Sequence, residues 1–180
     1  MKDRGEIMLK KTGVPKLETI KDKFPSEARR KKGPYAVFEC YQRIPCNPCS
    51  TSCKFNAVDE INDDINNIPV INYENCTGCG LCVSACPGLA CFVIDETYSD
   101  EKFTIKIPYE LLPLPKKGDM VYALDREGNK VDKVEVVGVQ ANKSLDNTNV
   151  ITIALSKKHI YSVRSIKVGE ISEWERYYFV

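Results

Sequence analysis

Cys76-Thr77-Gly78-Cys79-Gly80-Leu81-Cys82-Val83-Ser84-Ala85-Cys86-Pro87 is the stretch whose reading organises the whole chain. Cysteines at every third residue require the backbone to wrap a compact object and offer it three thiolates. An iron–sulfur cube suits this demand, because its iron corners each take one thiolate. Gly78 and Gly80 fit the same picture: glycine tolerates positive φ and lets backbone amides come close to the sulfurs. Zinc is the competing metal. Structural zinc usually takes two separated ligand pairs in a tetrahedron, a poor match to steps of 3, 3 and 4 residues.

Working outward, a second motif lies upstream: Cys40-x5-Cys46-x2-Cys49-x3-Cys53. Adding 33 to each position repeats Cys46, Cys49, Cys53 and Ala57 as Cys79, Cys82, Cys86 and Ala90, a short internal duplication. Cys76 maps onto Arg43, so Cys40 is the nearest substitute, reached through an expanded loop from Tyr41 to Pro45. In two-cluster proteins of this spacing the fourth cysteine ligates the other cluster. The expected centres are therefore Cys40, Cys46 and Cys49 closed by Cys86, and Cys76, Cys79 and Cys82 closed by Cys53. Without Cys40 the first would have three ligands, enough for a three-iron cluster. Lys54 stands where the later motif has Pro87; it either opens that side to water or adds a positive charge. Cys91 maps onto Val58 and reads as a small core residue.

The chain has 180 residues, 43% of them hydrophobic and 28% charged, an ordinary globular composition. All nine cysteines lie between Cys40 and Cys91. The count is odd, and the opening residues lack the apolar core of an export signal. A cytoplasmic location and metal or redox chemistry are expected, rather than a disulfide framework. No apolar run is long enough to span a membrane, and a net charge of +1 gives no reason to expect nucleic-acid binding.

Charge divides the chain into three zones. Residues 1–34 carry 11 basic and 5 acidic side chains, residues 35–100 carry 2 and 9, and residues 101–180 carry 13 and 11. The first zone reads as a basic arm with short helices: Leu17, Ile20 and Phe24 recur at helical spacing, and Gly33-Pro34 is a stop signal. It either drapes over its own domain or serves as a docking arm. In the last zone Phe103, Ile105 and Ile107 alternate with polar residues. Further β-rich runs are punctuated by Lys117-Gly118-Asp119, Glu127-Gly128-Asn129 and Asp146-Asn147, which predicts a small antiparallel sheet or barrel. Pro108, Pro113 and Pro115 suggest a linker before it. His159, the only histidine, lies in a polar run and reads as a surface residue. The aromatic ending, Trp174 to Val180, packs either on its own barrel or into another subunit.

Residues 35–95 resemble a two-cluster bacterial-type ferredoxin domain, on Glu39-Cys40-Tyr41-Gln42-Arg43-Ile44-Pro45-Cys46-Asn47-Pro48-Cys49 and on the run from Cys76 to Ala90. The stretches Pro108-Tyr109-Glu110 to Gly118 and Ala123-Leu124-Asp125-Arg126-Glu127-Gly128 extend the resemblance. The motifs resemble small iron–sulfur proteins from anaerobic bacteria, which are similar to the electron-transfer subunits of multi-subunit flavin-dependent amino-acid or amine dehydrogenases, the proline dehydrogenase, opine oxidase and cyanide synthase group. The expected fold class is α+β: a two-cluster ferredoxin-like domain over 35–100 followed by a small antiparallel β-rich, barrel-like domain over 101–180. The expected cofactors are two [4Fe-4S] clusters.

No dinucleotide fingerprint or nucleophile–histidine pair is visible. The expected role is that of a non-catalytic electron-transfer subunit in a hetero-oligomer, with the flavin on partner oxidoreductase subunits. The alternatives are a free-standing ferredoxin shuttle and a cluster-based sensor or scaffold. Tyr41, Phe55, Tyr73 and Phe92 are expected to pack around the clusters. Asp59, Glu60, Asp63 and Asp64 form either a solvated loop or a steering patch for a basic partner.

Overall fold

Two short apolar runs flank the cysteine motifs, and both become strands: β1 (Tyr35–Phe38) and β2 (Cys91–Asp95). Neither alternates, because each is buried on both faces. The next strand, β3 (Lys102–Tyr109), alternates buried with partly exposed residues, as a strand covered on one face should. The computed structural model describes residues 9–59, 64–141, 145 and 148–169. Its remaining strands are β4 (Met120–Leu124), β5 (Lys130–Gln140), β6 (Asn149–Ser156) and β7 (Ser165–Lys167).

These strands form one seven-stranded sheet in the order β1-β2-β3-β6-β5-β4-β7, antiparallel throughout. The expected succession of a two-cluster ferredoxin-like domain and a barrel-like domain is thereby corrected. The strands on either side of the cysteine motifs pair with each other, Tyr35 opposite Ile94, and β2 pairs onward with β3, Val93 opposite Lys106. The sheet therefore runs from the cysteine zone into the β-rich zone. Pro108 lies within β3, opposite Val150, rather than in a linker.

The sheet is not closed. Its two edge strands, β1 and β7, share no ladder, yet all seven strands contribute to one apolar core that includes Tyr35, Phe103, Ile105, Ile153, Val121 and Ile166. A buried ion cluster spans the seam. Glu39, just after β1, accepts hydrogen bonds from Arg164 Nε (2.6 Å), just before β7, and from Arg126 Nε and Nη2 (2.8 and 2.6 Å), just after β4. Side-chain ion pairs thus link edges that strand pairing leaves open.

The described part of the basic arm drapes over this body. Helix α1 (Leu17–Lys21) buries Ile20, and Phe24 packs edge-on against Tyr35 and Tyr161 at centroid distances of 6.1 and 4.8 Å. Helix α2 (Glu27–Arg30) is capped by Ser26, whose side chain accepts from the Arg29 amide. Arg30 makes a bidentate pair with Glu96, and the Tyr35 hydroxyl donates to the same carboxylate. Among the described residues no helix is long and apolar enough to cross a membrane. The aromatic ending from Trp174, Asp146-Asn147, Glu60 and Asp63 lie outside the described residues.

Candidate iron–sulfur site

Because β1 and β2 are buried twice over, they support a second layer. Tyr35, Val37, Phe92 and Ile94 face the main core; Ala36, Phe38, Cys91 and Val93 face the cysteine motifs. In that layer two short helices, α3 (Pro48–Thr51) and α4 (Leu81–Ala85), pack against each other and carry Cys49 and Cys82. They start 33 residues apart, as the duplication requires.

The backbone repeats as well as the sequence. Asn56 and Leu89, again 33 apart, are the two non-glycine residues with positive φ, 49° and 51°, among the described residues. Each follows a cysteine whose sulfur accepts an amide hydrogen bond four residues on: Ala57 N–H to Cys53 Sγ and Ala90 N–H to Cys86 Sγ, both 3.4 Å. A third such bond runs from Ala36 N–H in β1 to Cys76 Sγ, also 3.4 Å. Amides aimed at cysteine sulfur are what an iron–sulfur centre uses to tune its potential.

The eight expected ligands fall into two neighbourhoods. Cys53, Cys76, Cys79 and Cys82 line one apolar recess, with Ala36, Phe38, Phe55 and Gly78 in its wall. Three of these cysteines come from the later motif and one from the earlier. In the other neighbourhood, burial and then the nearby sulfurs of Cys86 and Cys40 push the Cys46 thiol up. The Cys49 thiol is pushed up to about 12 by burial and by Cys86, Cys82 and Cys46. Here Cys86 stands among cysteines of the earlier motif. Cys79 is exposed, Cys49 and Cys82 are buried, and the other five are half-buried. Among the described residues no three Cys, His, Asp or Glu side chains converge to hold a single metal ion; ligands to separate corners of a cube need not converge on one point.

Cys91 lies between the neighbourhoods. Its thiol hydrogen-bonds the sulfurs of Cys82 and Cys86, which holds it well above its ordinary range. The same bond lowers Cys86 to about 6 against burial, with help from backbone amides including Ala90. Cys91 is buried in the cysteine layer, the core position expected of it.

Sequence reasoning did not single out Arg29 or Lys106. Buried Arg29 donates to the carbonyls of Tyr73, Gly33, Pro34 and Cys76, the last from Nη2 at 2.6 Å. Lys106 Nζ, reaching out from β3, donates to the carbonyls of Gly78 (3.0 Å) and Cys79 (3.1 Å). Gly78 has φ +66°, and a Cβ there would stand 2.5 Å from Pro34 Cβ. The alternation of β3 marks Lys106 as outward-facing, but only the sheet register brings it over the cysteine loop. Of the expected shielding aromatics, Phe55 lines the recess, whereas Phe92 and Tyr73 pack in the main core. Tyr41 has a buried hydroxyl without a hydrogen-bond partner. His159 is half-buried, its Nε2 3.5 Å from Asp132 Oδ2. In the acidic stretch, Asp59 is exposed and Asp64 pairs with Arg43 at 2.7 Å.

Residues 67–88 match the family model of a 4Fe-4S binding domain, a span that contains Cys76, Cys79, Cys82 and Cys86. This segment is thus of the 4Fe-4S binding, ferredoxin type. No curated protein and no solved structure matches the chain.

Proposed function

We propose that the chain holds two [4Fe-4S] clusters and carries single electrons between a flavin-containing partner and an acceptor. One observation carries the reading: each cysteine neighbourhood combines three residues of one motif with the last cysteine of the other. Cys53 lies with Cys76, Cys79 and Cys82, and Cys86 lies near Cys46 and Cys49. Cys40, Cys46, Cys49 and Cys86 would hold the first cluster, and Cys53, Cys76, Cys79 and Cys82 the second. The donor set fits such a group: thiols in an apolar layer, three of whose sulfurs accept backbone amides. When bound, each cluster supplies a one-electron redox couple. The chain's own residues hold the ligands at fixed spacing, keep water away from Cys49 and Cys82, and aim amide dipoles at sulfur.

The flavin partner, an amino-acid or amine dehydrogenase complex, follows from the resemblance of both motifs. Iron and sulfide analysis of anaerobically prepared protein tests the cofactor reading, with about eight irons per chain expected for two cubes. About four irons, or zinc, would overturn it. Capture of the tagged full chain from native anaerobic extract tests the partner reading. A flavoprotein that co-purifies in fixed ratio supports a subunit, and its absence favours a free shuttle.

A further inference from the structure

Resting on the two-cluster reading, we infer that Arg29 and Lys106 give the centre at Cys53, Cys76, Cys79 and Cys82 the higher reduction potential of the two. An electron entering the pair comes to rest there. Arg29 is 8% exposed, and its four hydrogen bonds all go to backbone carbonyls. Carbonyl dipoles satisfy its donors but leave its net charge in place, and a buried cation without a counter-ion is costly. Lys106 is half-buried rather than buried, but its ammonium is likewise bonded to two carbonyls, and no carboxylate pairs with it or with Arg29 among the described residues.

Both cations are bonded to the same short loop, at Cys76, Gly78 and Cys79. An anionic centre bound by that loop is the counter-charge they lack, and each favours the more negative of the centre's two charge states, buried Arg29 with less solvent screening than half-buried Lys106.

The first centre lacks this arrangement. At the duplicated position of Cys76 stands Arg43, which is bonded to Asp64 and Asn67. The Cys46 amide donates to the Ile65 carbonyl. Arg126 and Arg164 share the carboxylate of Glu39, the residue before Cys40, which neutralises one of their two charges. Each cation of the first half meets a carboxylate, and only one positive charge is left over there, whereas Arg29 and Lys106 meet none and both charges act on the second centre. Transfer between centres then moves one electron, with no bond formed or broken and no proton taken up.

The test is an anaerobic potentiometric titration of the loaded full chain with dithionite as reductant, followed by low-temperature paramagnetic resonance. The variant Cys79→Ser identifies the second centre's signal. Lys106→Gln keeps a hydrogen-bond donor and removes the charge; Lys106→Arg keeps the charge. The expected result is two separate midpoints, the higher at the second centre. Lys106→Gln should lower that one alone by about tenfold in its oxidised-to-reduced ratio, about 59 mV for one electron, and Lys106→Arg should leave it in place. If Lys106→Gln fails to load, Lys106→Thr, a residue suited to a strand, replaces it. Midpoints in the reverse order, or no change with the charge removed, would overturn the inference while leaving the two-cluster reading intact. A single centre with about four irons would overturn that reading, and the inference with it.

Discussion

The two halves of the duplication, residues 46–58 and 79–91, share a backbone but not surroundings. Helices α3 and α4, the Cys53–Ala57 and Cys86–Ala90 hydrogen bonds and the left-handed Asn56 and Leu89 superimpose in sequence at one offset. The differences lie at the loops that lead into the helices. Pro45 and Asn47 in the first half become Gly78 and Gly80 in the second, both at positive φ. The first loop is exposed at Gln42 to Pro45; the second exposes Thr77 and Cys79 but buries Gly78 against Pro34 and Gly80 against Lys106, with Arg29 bonded to the Cys76 carbonyl. Equal ligand spacing can therefore serve two unequal centres, and what makes them unequal comes from outside the motifs.

The strongest way to break the comparison is to remove the residues that each half lends to the other. Cys53→Ala should deprive the Cys76, Cys79 and Cys82 centre of its fourth ligand, and Cys86→Ala should do the same to the Cys40, Cys46 and Cys49 centre. Each variant should reduce one centre to a three-iron cluster or lose it, and the unaltered four-iron resonance that survives should differ between the two. If both variants lose the same signal, the crossing of ligands is refuted.

Next in size is the ion cluster beside the first half. Burial raises the Glu39 carboxyl, but the hydrogen bonds and charges of Arg126 and Arg164 outweigh it and hold it below its usual value of 4.5. Burial also lowers Arg164, against the attraction of Glu39. Glu39→Gln leaves two buried guanidinium groups without a counter-charge and should destabilise the fold by about 3–5 kcal/mol, measured by urea unfolding. The sign of the pH dependence follows. A carboxyl depressed in the folded state contributes fully above about 4.5 and loses that contribution as pH falls through its lower folded value. Glu39→Gln should therefore flatten the acid limb of the stability profile, and an unchanged limb would show that the seam is held by something else.

Gly78→Ala sharpens the contrast from the other side. Its Cβ would meet Pro34 Cβ at 2.5 Å and the Pro34 carbonyl carbon at 2.8 Å, with φ already at +66°. Strain and overpacking together should cost roughly 2–4 kcal/mol. Pro45→Ala, the equivalent position in the exposed loop, should cost much less by the same urea assay. Comparable losses would mean that the two loops are equally constrained.

How much of this could be read from the residues depends on where the signal lies. The cysteine spacing and its offset of 33 are local, so the motifs, the core role of Cys91 and the alternation of Phe103, Ile105 and Ile107 were legible. The single sheet was not. Tyr35-Ala36-Val37-Phe38 and Cys91-Phe92-Val93-Ile94 have no period because both faces are buried, and they sit against motifs that draw attention to their sulfurs. Arg29, Lys106, Arg126 and Arg164 were equally hidden. Each is an ordinary charged residue until pairing between distant strands fixes what it touches. Glu39 meets Arg164 across 125 residues, and no window of sequence shows that.

The smallest expected effect tests the one place where the halves meet. Cys91 corresponds to Val58, and both are buried in the same layer, 3% and 6% exposed. Cys91→Val should change stability by less than about 1.5 kcal/mol, as volume-conserving core swaps do, and should leave the iron content unaltered. It removes the thiol that hydrogen-bonds Cys82 and Cys86, one ligand from each proposed centre. Its effect should therefore appear as a small downward move of both midpoints together, since a donor to sulfur favours the more negative charge state. That joint shift separates Cys91 from Lys106, whose removal should move one midpoint only. Loss of iron from Cys91→Val would instead make Cys91 a ligand, and the equivalence with Val58, on which the register of the duplication rests, would fail at that position.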